Sequence, residues 1–139
     1  MAGRLHVELV SAERRVRSDD ADLVIARASE GDLGVMPGHA PVVSLLADGL
    51  VRVEGGESGT WTAAISGGFL SVAADRVSIL AERAVLADQI DVAAAQRDLD
   101  EARRRLDGAG DDDRADAQAD VDRAAAWLRA AEQTGSGTH

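Results

Sequence analysis

Three histidines, 25 carboxylates and no cysteine are the side chains from which this 139-residue chain could assemble a reactive centre. The histidines stand far apart, at positions 6, 39 and 139, so no short spacing brings two imidazoles to one metal ion or one nucleophile. Without a thiol, disulfides, thiolate nucleophiles and thiolate metal sites are excluded. There is no GxxxxGK[ST] loop, GxSxG elbow, HExxH pair or EF-hand spacing. The acidic runs Asp19-Asp20 and Asp111 to Asp113 carry enough charge for a hard cation, yet they read first as solvated turn and helix-cap residues. The glycines of "ISGGF" could approach a phosphate, but a Gly-Gly before a strand reads as a bulge or tight turn. The expectation is a chain with no catalytic residue, no cofactor and no metal.

Residues 29–41, "SEGDLGVMPGHAP", hold three glycines, both prolines and one histidine in thirteen positions. Gly31 and Gly34 flank a short apolar beat, and Pro37, Gly38 and Pro41 surround His39. Proline fixes φ and removes a backbone donor, so the segment predicts a stiff loop that cannot continue a sheet. Such a loop suits the presentation of a surface to another subunit; an ordinary strand connection is the competing reading.

The rest of the chain supplies the frame. In "LHVEL", Leu5, Val7 and Leu9 share one face while His6 and Glu8 share the other, the period of a half-buried strand. The same beat recurs in "DLVIARA", "GLVRVE", "TWTAAIS", "GFLSVAA" and "RVSILAER", separated by turn-forming "SDDAD", "EGGESG", "SGG" and "AAD". From Asp88 the period becomes helical: Val92, Ala95, Leu99, Ala102 and Leu106 form one stripe, and Ala117, Val121, Ala124, Leu128 and Ala131 a second. Between them "DGAGDDD" offers Gly108 and Gly110 as caps. The predicted fold class is α+β: an antiparallel sandwich or barrel of short strands over 1–87, then a helical hairpin over 88–139. Its helices are expected at about 89–107 and 113–132, joined by 108–112 and followed by a frayed tail.

Net charge is −10, divided as −4 over 1–87 and −6 over 88–139, which disfavours nucleic acid and anionic lipid as partners. No run approaches the roughly 20 apolar residues that cross a bilayer, and the first ten residues lack the pattern of a signal peptide. With few aromatics and much alanine the core is expected to be modest, and a partner is expected to complete it.

"SAE" at 11–13, "SEGDLGVMPGHAP" at 29–41, "SGGFLSV" at 66–72 and "VSILAERA" at 77–84 occur in an order and spacing that resemble the epsilon subunit of the rotary F-type ATP synthase, called delta in mitochondria. The resemblance implies a ten-stranded sandwich and two helices on the central stalk, bound to the gamma subunit and the c-ring. It implies a peripheral location at the cytoplasmic face of the cell membrane, with no bond chemistry in this chain. Glu30, Asp32, Pro37, Gly38, His39 and Pro41 fall in the motif that the resemblance implies faces partners, Asp32 toward the polar loops of the c-ring and His39 on the face near gamma and the ring. The hairpin arginines Arg103, Arg104, Arg105, Arg114, Arg123 and Arg129 fall where relatives reach the catalytic alpha and beta subunits and restrain ATP hydrolysis; pairing with acids one turn away is the competing reading. Relatives that sense ATP carry Ile/Leu-Asp-x-x-Arg-Ala at the first helix. Here Ile90, Asp91 and Ala95 remain, but Ala94 replaces the arginine, so nucleotide binding is expected to be weak or absent. An ATP-sensing binding module and an adaptor outside the synthase stay open as alternatives.

Overall fold

The alternation at the start of the chain becomes strand β1 (Leu5–Ser11), with Leu5, Val7 and Leu9 fully buried. A computed structural model describes residues 4–57 and 59–136; His139 and the end of the tail lie outside the described residues. Eight more strands follow: β2 (Arg15–Ala21), β3 (Leu23–Ala28), β4 (Gly31–Val35), β5 (Val42–Gly56), β6 (Gly59–Ser66), β7 (Phe69–Ala73), β8 (Arg76–Ala81) and β9 (Arg83–Leu86). Two helices close the chain, α1 (Val92–Asp107) and α2 (Arg114–Ser136), after a single 3-10 turn at Ala87–Gln89.

The strands form two layers that share β5. Sheet A runs β2-β1-β8-β7-β5 and sheet B runs β4-β3-β5-β6-β9. Fifteen residues of straight strand would run about 50 Å, longer than so small a domain. Strand β5 therefore bends. Val42–Leu45 pair with β7, Val51 and Val53 pair with β3 and β6, and Ala47–Leu50 form the corner, where four residues of β5 face only Arg27 of β3. One strand serving both sheets is why nine strands stand where about ten were expected.

Three local expectations are corrected. The sheets are not wholly antiparallel, because β1 runs parallel to β8; alternation marks which face a residue takes but not which way its neighbour runs. The first four residues of "SDDAD" are not a turn but the end of β2, with Asp19 opposite Val7 and facing inward; only Asp22 is at the bend into β3. Asp19 is accordingly no solvated turn acid. It is 9% exposed and accepts from Trp61 Nε1 at 3.2 Å and from the Glu57 amide at 3.4 Å, with Arg17 Nη2 at 3.5 Å. Satisfied this way, a buried carboxylate can tie the margins of the two sheets together. Finally, Gly31–Val35 pair with β3 as strand β4, so the glycine- and proline-rich segment divides into a turn at Ser29 and Glu30, a strand, and the loop over residues 36–41.

The main core lies between the sheets, around Leu5, Leu9, Val24, Val35, Val51, Ile65, Leu70 and Ile79. The hairpin packs on the outer face of sheet B, where Ala130 and Trp127 meet Ala64, Ala87, Leu50 and Ile90. Helix α2 lies between α1 and the sandwich, with Leu128 turned to Ala95 and Leu99 of α1. Alanines make up much of both faces, Ala130 beside Trp127 toward the sandwich and Ala124 and Ala125 beside Val121 and Leu128 toward α1. Each buried methyl contributes about 0.8 kcal/mol against about 1.5–3 for a leucine, so the hairpin is held by thin contacts.

Helix α1 starts at Val92 rather than near 89, because the Asp91 side chain accepts from the amides of Ala93 and Ala94 and caps it there. Val92, expected in the apolar stripe, is 47% exposed; Ile90, just ahead of the cap, fills that place instead. Gly108 ends α1 with φ −93°, not in the left-handed region, its amide reaching the Arg104 and Leu106 carbonyls. Helix α2 continues to Ser136, past the expected end at 132.

Candidate functional site

The solvent side of sheet A carries apolar side chains that no described residue covers. Leu45, Phe69 and Leu80 stand opposite one another on β5, β7 and β8, at 57%, 50% and 54% exposure, and Val43 extends the row at 71%. Val10 of β1, half-buried, is the next register partner of Leu80. Beyond this row the face turns polar through Ser71, Ser78, Glu8 and Arg76. A contiguous apolar row with a polar margin has the make-up of a protein-binding surface rather than of scattered exposed residues.

The loop Met36–Pro41 borders that face. Gly38, at φ +87°, donates its amide to Asp75 Oδ1 at 2.7 Å, which anchors the loop to the turn between β7 and β8. His39 has its amide on the Met36 carbonyl at 3.1 Å and its Nδ1 2.6 Å from the Ala40 carbonyl. The imidazole thus stiffens its own turn, and Met36, 61% exposed, is the apolar projection of the loop. Glu30 and Asp32 are elsewhere. Glu30 lies in the turn before β4 and Asp32 is the second residue of that five-residue strand, at the end far from Pro37 and roughly 15 Å from it. Asp32 lies 3.9 Å from Arg27 Nη1 and lines a second cleft with Arg27, Asp48, Asp122 and Arg129. The motif that is continuous in sequence therefore presents two separate surfaces, one beside sheet A and one beside the hairpin.

Between hairpin and sandwich lies a cleft of about 360 Å³, lined by Ile90, Asp91, Ala94 and Ala95 together with Arg83, Arg105, Arg123 and four acids, Asp91 among them. Two of its three cations are engaged: Arg83 lies 4.6 Å over the Trp127 ring, and Arg123 reaches Asp48 at 3.3 Å and Asp120 at 3.0 Å. With carboxylates outnumbering cations and a methyl at Ala94, the cleft is poorly suited to a triphosphate. Titration calorimetry of the full chain with Mg-ATP is expected to show no saturable heat at millimolar nucleotide; a clear saturable isotherm would contradict this. Of the hairpin arginines only Arg123 pairs one turn away. Arg103, Arg104, Arg105, Arg114 and Arg129 are exposed, with no ion pair among the described residues.

One constellation has no signal in the linear spacing. On the outer face of β1 and β2, His6 Nδ1 lies 3.2 Å from Asp20 and His6 Nε2 lies 3.5 Å from Ser18 Oγ, the order of partners used by serine hydrolases. The group sits on an open strand surface and lines none of the clefts above. It lacks an enclosed volume in which preorganised donors could stabilise an oxyanion. Its effect is to bind edge strand β2 to β1. His6 faces outward by alternation, but its two partners come into reach only through the β1–β2 register.

The architecture is that of a β-sandwich with one uncovered apolar face and a two-helix appendage on the opposite side. Residues 4–87 match the family described as ATP synthase, Delta/Epsilon chain, beta-sandwich domain, and residues 88–132 match its long alpha-helix domain. The chain belongs to the ATP synthase delta/epsilon chain family. It is 53% identical over 78 residues to the ATP synthase epsilon chain of Streptomyces griseus, covering 56% of this chain and 63% of that one. It is likewise 53% identical over 78 residues to the epsilon chain of Thermobifida fusca, covering 54% and 57%. The match thus spans less than two thirds of these relatives. Among solved structures, a chain of the Euglena gracilis mitochondrial ATP synthase, OSCP/F1/c-ring in rotational state 1, superposes with TM-score 0.72 at 26% identity, covering 98% of this chain and 82% of that one. A chain of the Tetrahymena thermophila central stalk and c-ring shares the fold at TM-score 0.66 and 14% identity, covering 94% and 98%.

Proposed function

We propose that this chain is a non-catalytic rotor subunit on the central stalk of an F-type ATP synthase, joining gamma to the c-ring during proton-driven synthesis. The observation that carries the reading is the uncovered row Val43, Leu45, Phe69 and Leu80, which gives gamma a broad apolar seat beside the loop at Pro37, Gly38, His39 and Pro41. Glu30 and Asp32, at the far end of β4, face the polar loops of the c-ring. Two surfaces on one stiff body suit a part that transmits torque between two neighbours. The chain sits at the cytoplasmic face of the membrane without entering it; no helix among the described residues is long and apolar enough to cross a bilayer.

The hairpin acts as a brake on hydrolysis. Its thin alanine contacts allow a second packing at small cost, and its exposed arginines are available to acidic segments of the catalytic alpha and beta subunits. Removing residues 88–139 from the assembled synthase tests both halves of the proposal. Synthesis is expected to persist while ATP hydrolysis rises. Lost synthesis would show that the sandwich alone does not couple the rotor, and unchanged hydrolysis would remove the brake.

A further inference from the structure

We infer that Asp48 couples hairpin docking to the shape of the apolar face, because its two carboxylate oxygens hold two different parts of the molecule. Asp48 stands at the corner where β5 leaves sheet A for sheet B. Its Oδ1 accepts the Gly67 amide at 2.8 Å and its Oδ2 accepts Arg123 Nε at 3.3 Å. Arg123 is aimed by its other contact, Nη1 to Asp120 at 3.0 Å.

Gly67 and Gly68 form the turn into β7, both at positive φ, 63° and 123°. That turn is fixed to β5 by the bond from Gly67 to Asp48 and by the Leu46 amide on the Gly68 carbonyl at 3.0 Å. The next residue is Phe69, the centre of the exposed row. A docked hairpin thus restrains the carboxylate from one side and the turn restrains it from the other. When α2 departs, Asp48 keeps one restraint, and the turn that sets Phe69 loosens.

The docked state is poised for release. Arg123 with Asp48 is joined by Arg83 stacked on Trp127 and by the packing of Ala130 and Trp127 on Ala64, Ala87, Leu50 and Ile90. The Trp127 Nε1 hydrogen is buried there without an acceptor among the described residues, which opposes docking. Linkage is reciprocal, so a partner that grips Phe69 and fixes the turn favours the docked hairpin. The inference rests on the proposed docking role of sheet A, but the coupling is a property of the chain alone and is tested there.

Amide exchange and NMR shifts of the isolated full chain provide the test, comparing parent, Arg123→Gln, Asp48→Asn and the double variant. Asn at 48 keeps an acceptor for Gly67 but loses the charge that holds Arg123. Each single variant is expected to raise the open-to-docked ratio of the hairpin about two- to fivefold, the range for a partly solvated ion pair. The double variant should add little beyond either, as residues sharing one interaction do. In Arg123→Gln the Gly67 amide should exchange faster by a similar factor and the Phe69 amide should shift, although neither touches Arg123. Exchange in β1, remote from the corner, should stay at its parental rate and so exclude general unfolding. An Arg123→Gln chain whose hairpin opens while Gly67 and Phe69 keep their parental behaviour overturns the coupling. Unaltered docking in both single variants overturns it equally. Gamma takes no part, so a failed stalk assignment would leave these results standing.

Discussion

Glutamate in place of Phe69 is expected to weaken binding of the chain to gamma at least about 30-fold, the effect of losing a central aromatic anchor worth about 2 kcal/mol or more. The isolated chain should lose no more than about 1 kcal/mol of stability, because half of the ring already faces solvent and the site is an outer strand face. Leu80→Glu should act similarly, since Leu80 is the register partner of Phe69 on β8. His39→Ala should cost less, its imidazole being occupied with the adjacent Ala40 carbonyl. Surface-immobilised gamma and thermal unfolding of the same preparations supply the two readouts. Full affinity in the Phe69 variant would remove sheet A as the gamma seat.

Gly68→Ala is expected to destabilise the sandwich by about 3 kcal/mol, a large loss for the addition of one methyl group. Gly68 has φ +123°, and a Cβ there would run into the Leu80 carbonyl oxygen and close on Ala81 Cα. Both neighbours are backbone in the β8 ladder, so neither can rotate away. Gly67→Ala is the comparator. At φ +63° its Cβ would meet only the Glu82 side chain, at 3.4 Å, leaving mainly the left-handed penalty of about 1 kcal/mol. Chemical denaturation of both variants measures the difference. Equal losses would mean that the close approach to Leu80 adds no cost beyond that of the backbone conformation.

Period and punctuation carry much of this architecture in plain view. The buried beat of Leu5, Val7 and Leu9, the helical stripes around Leu99 and Leu128, and the turns at "SGG" and "AAD" all reappear as built. The departures have physical causes. Asp19 reads as a turn acid in the linear chain because its acceptability inside depends on Trp61 Nε1, 42 residues away. Gly31–Val35 reads as loop because two glycines weaken any strand signal, and only pairing with β3 holds them extended. The glycine- and proline-rich motif is legible as residue types but not as geometry: Asp32 lies in strand β4 and Pro37 beyond its end, which sends them to different sides.

The exposed apolar row has no signature of its own, since Leu45, Phe69 and Leu80 read locally like any outward or inward strand residues. Composition, alternation and glycine placement are properties of neighbours along the chain, and they were enough to specify a layered β domain and two helices, while the resemblance of four short motifs pointed to the family. Register, the shared corner strand and the question of which face stays uncovered depend on contacts between distant segments. Only the packed chain settled those, and with them the exposed apolar row, the seating of the hairpin on sheet B and the Asp48 carboxylate that reaches both Gly67 and Arg123.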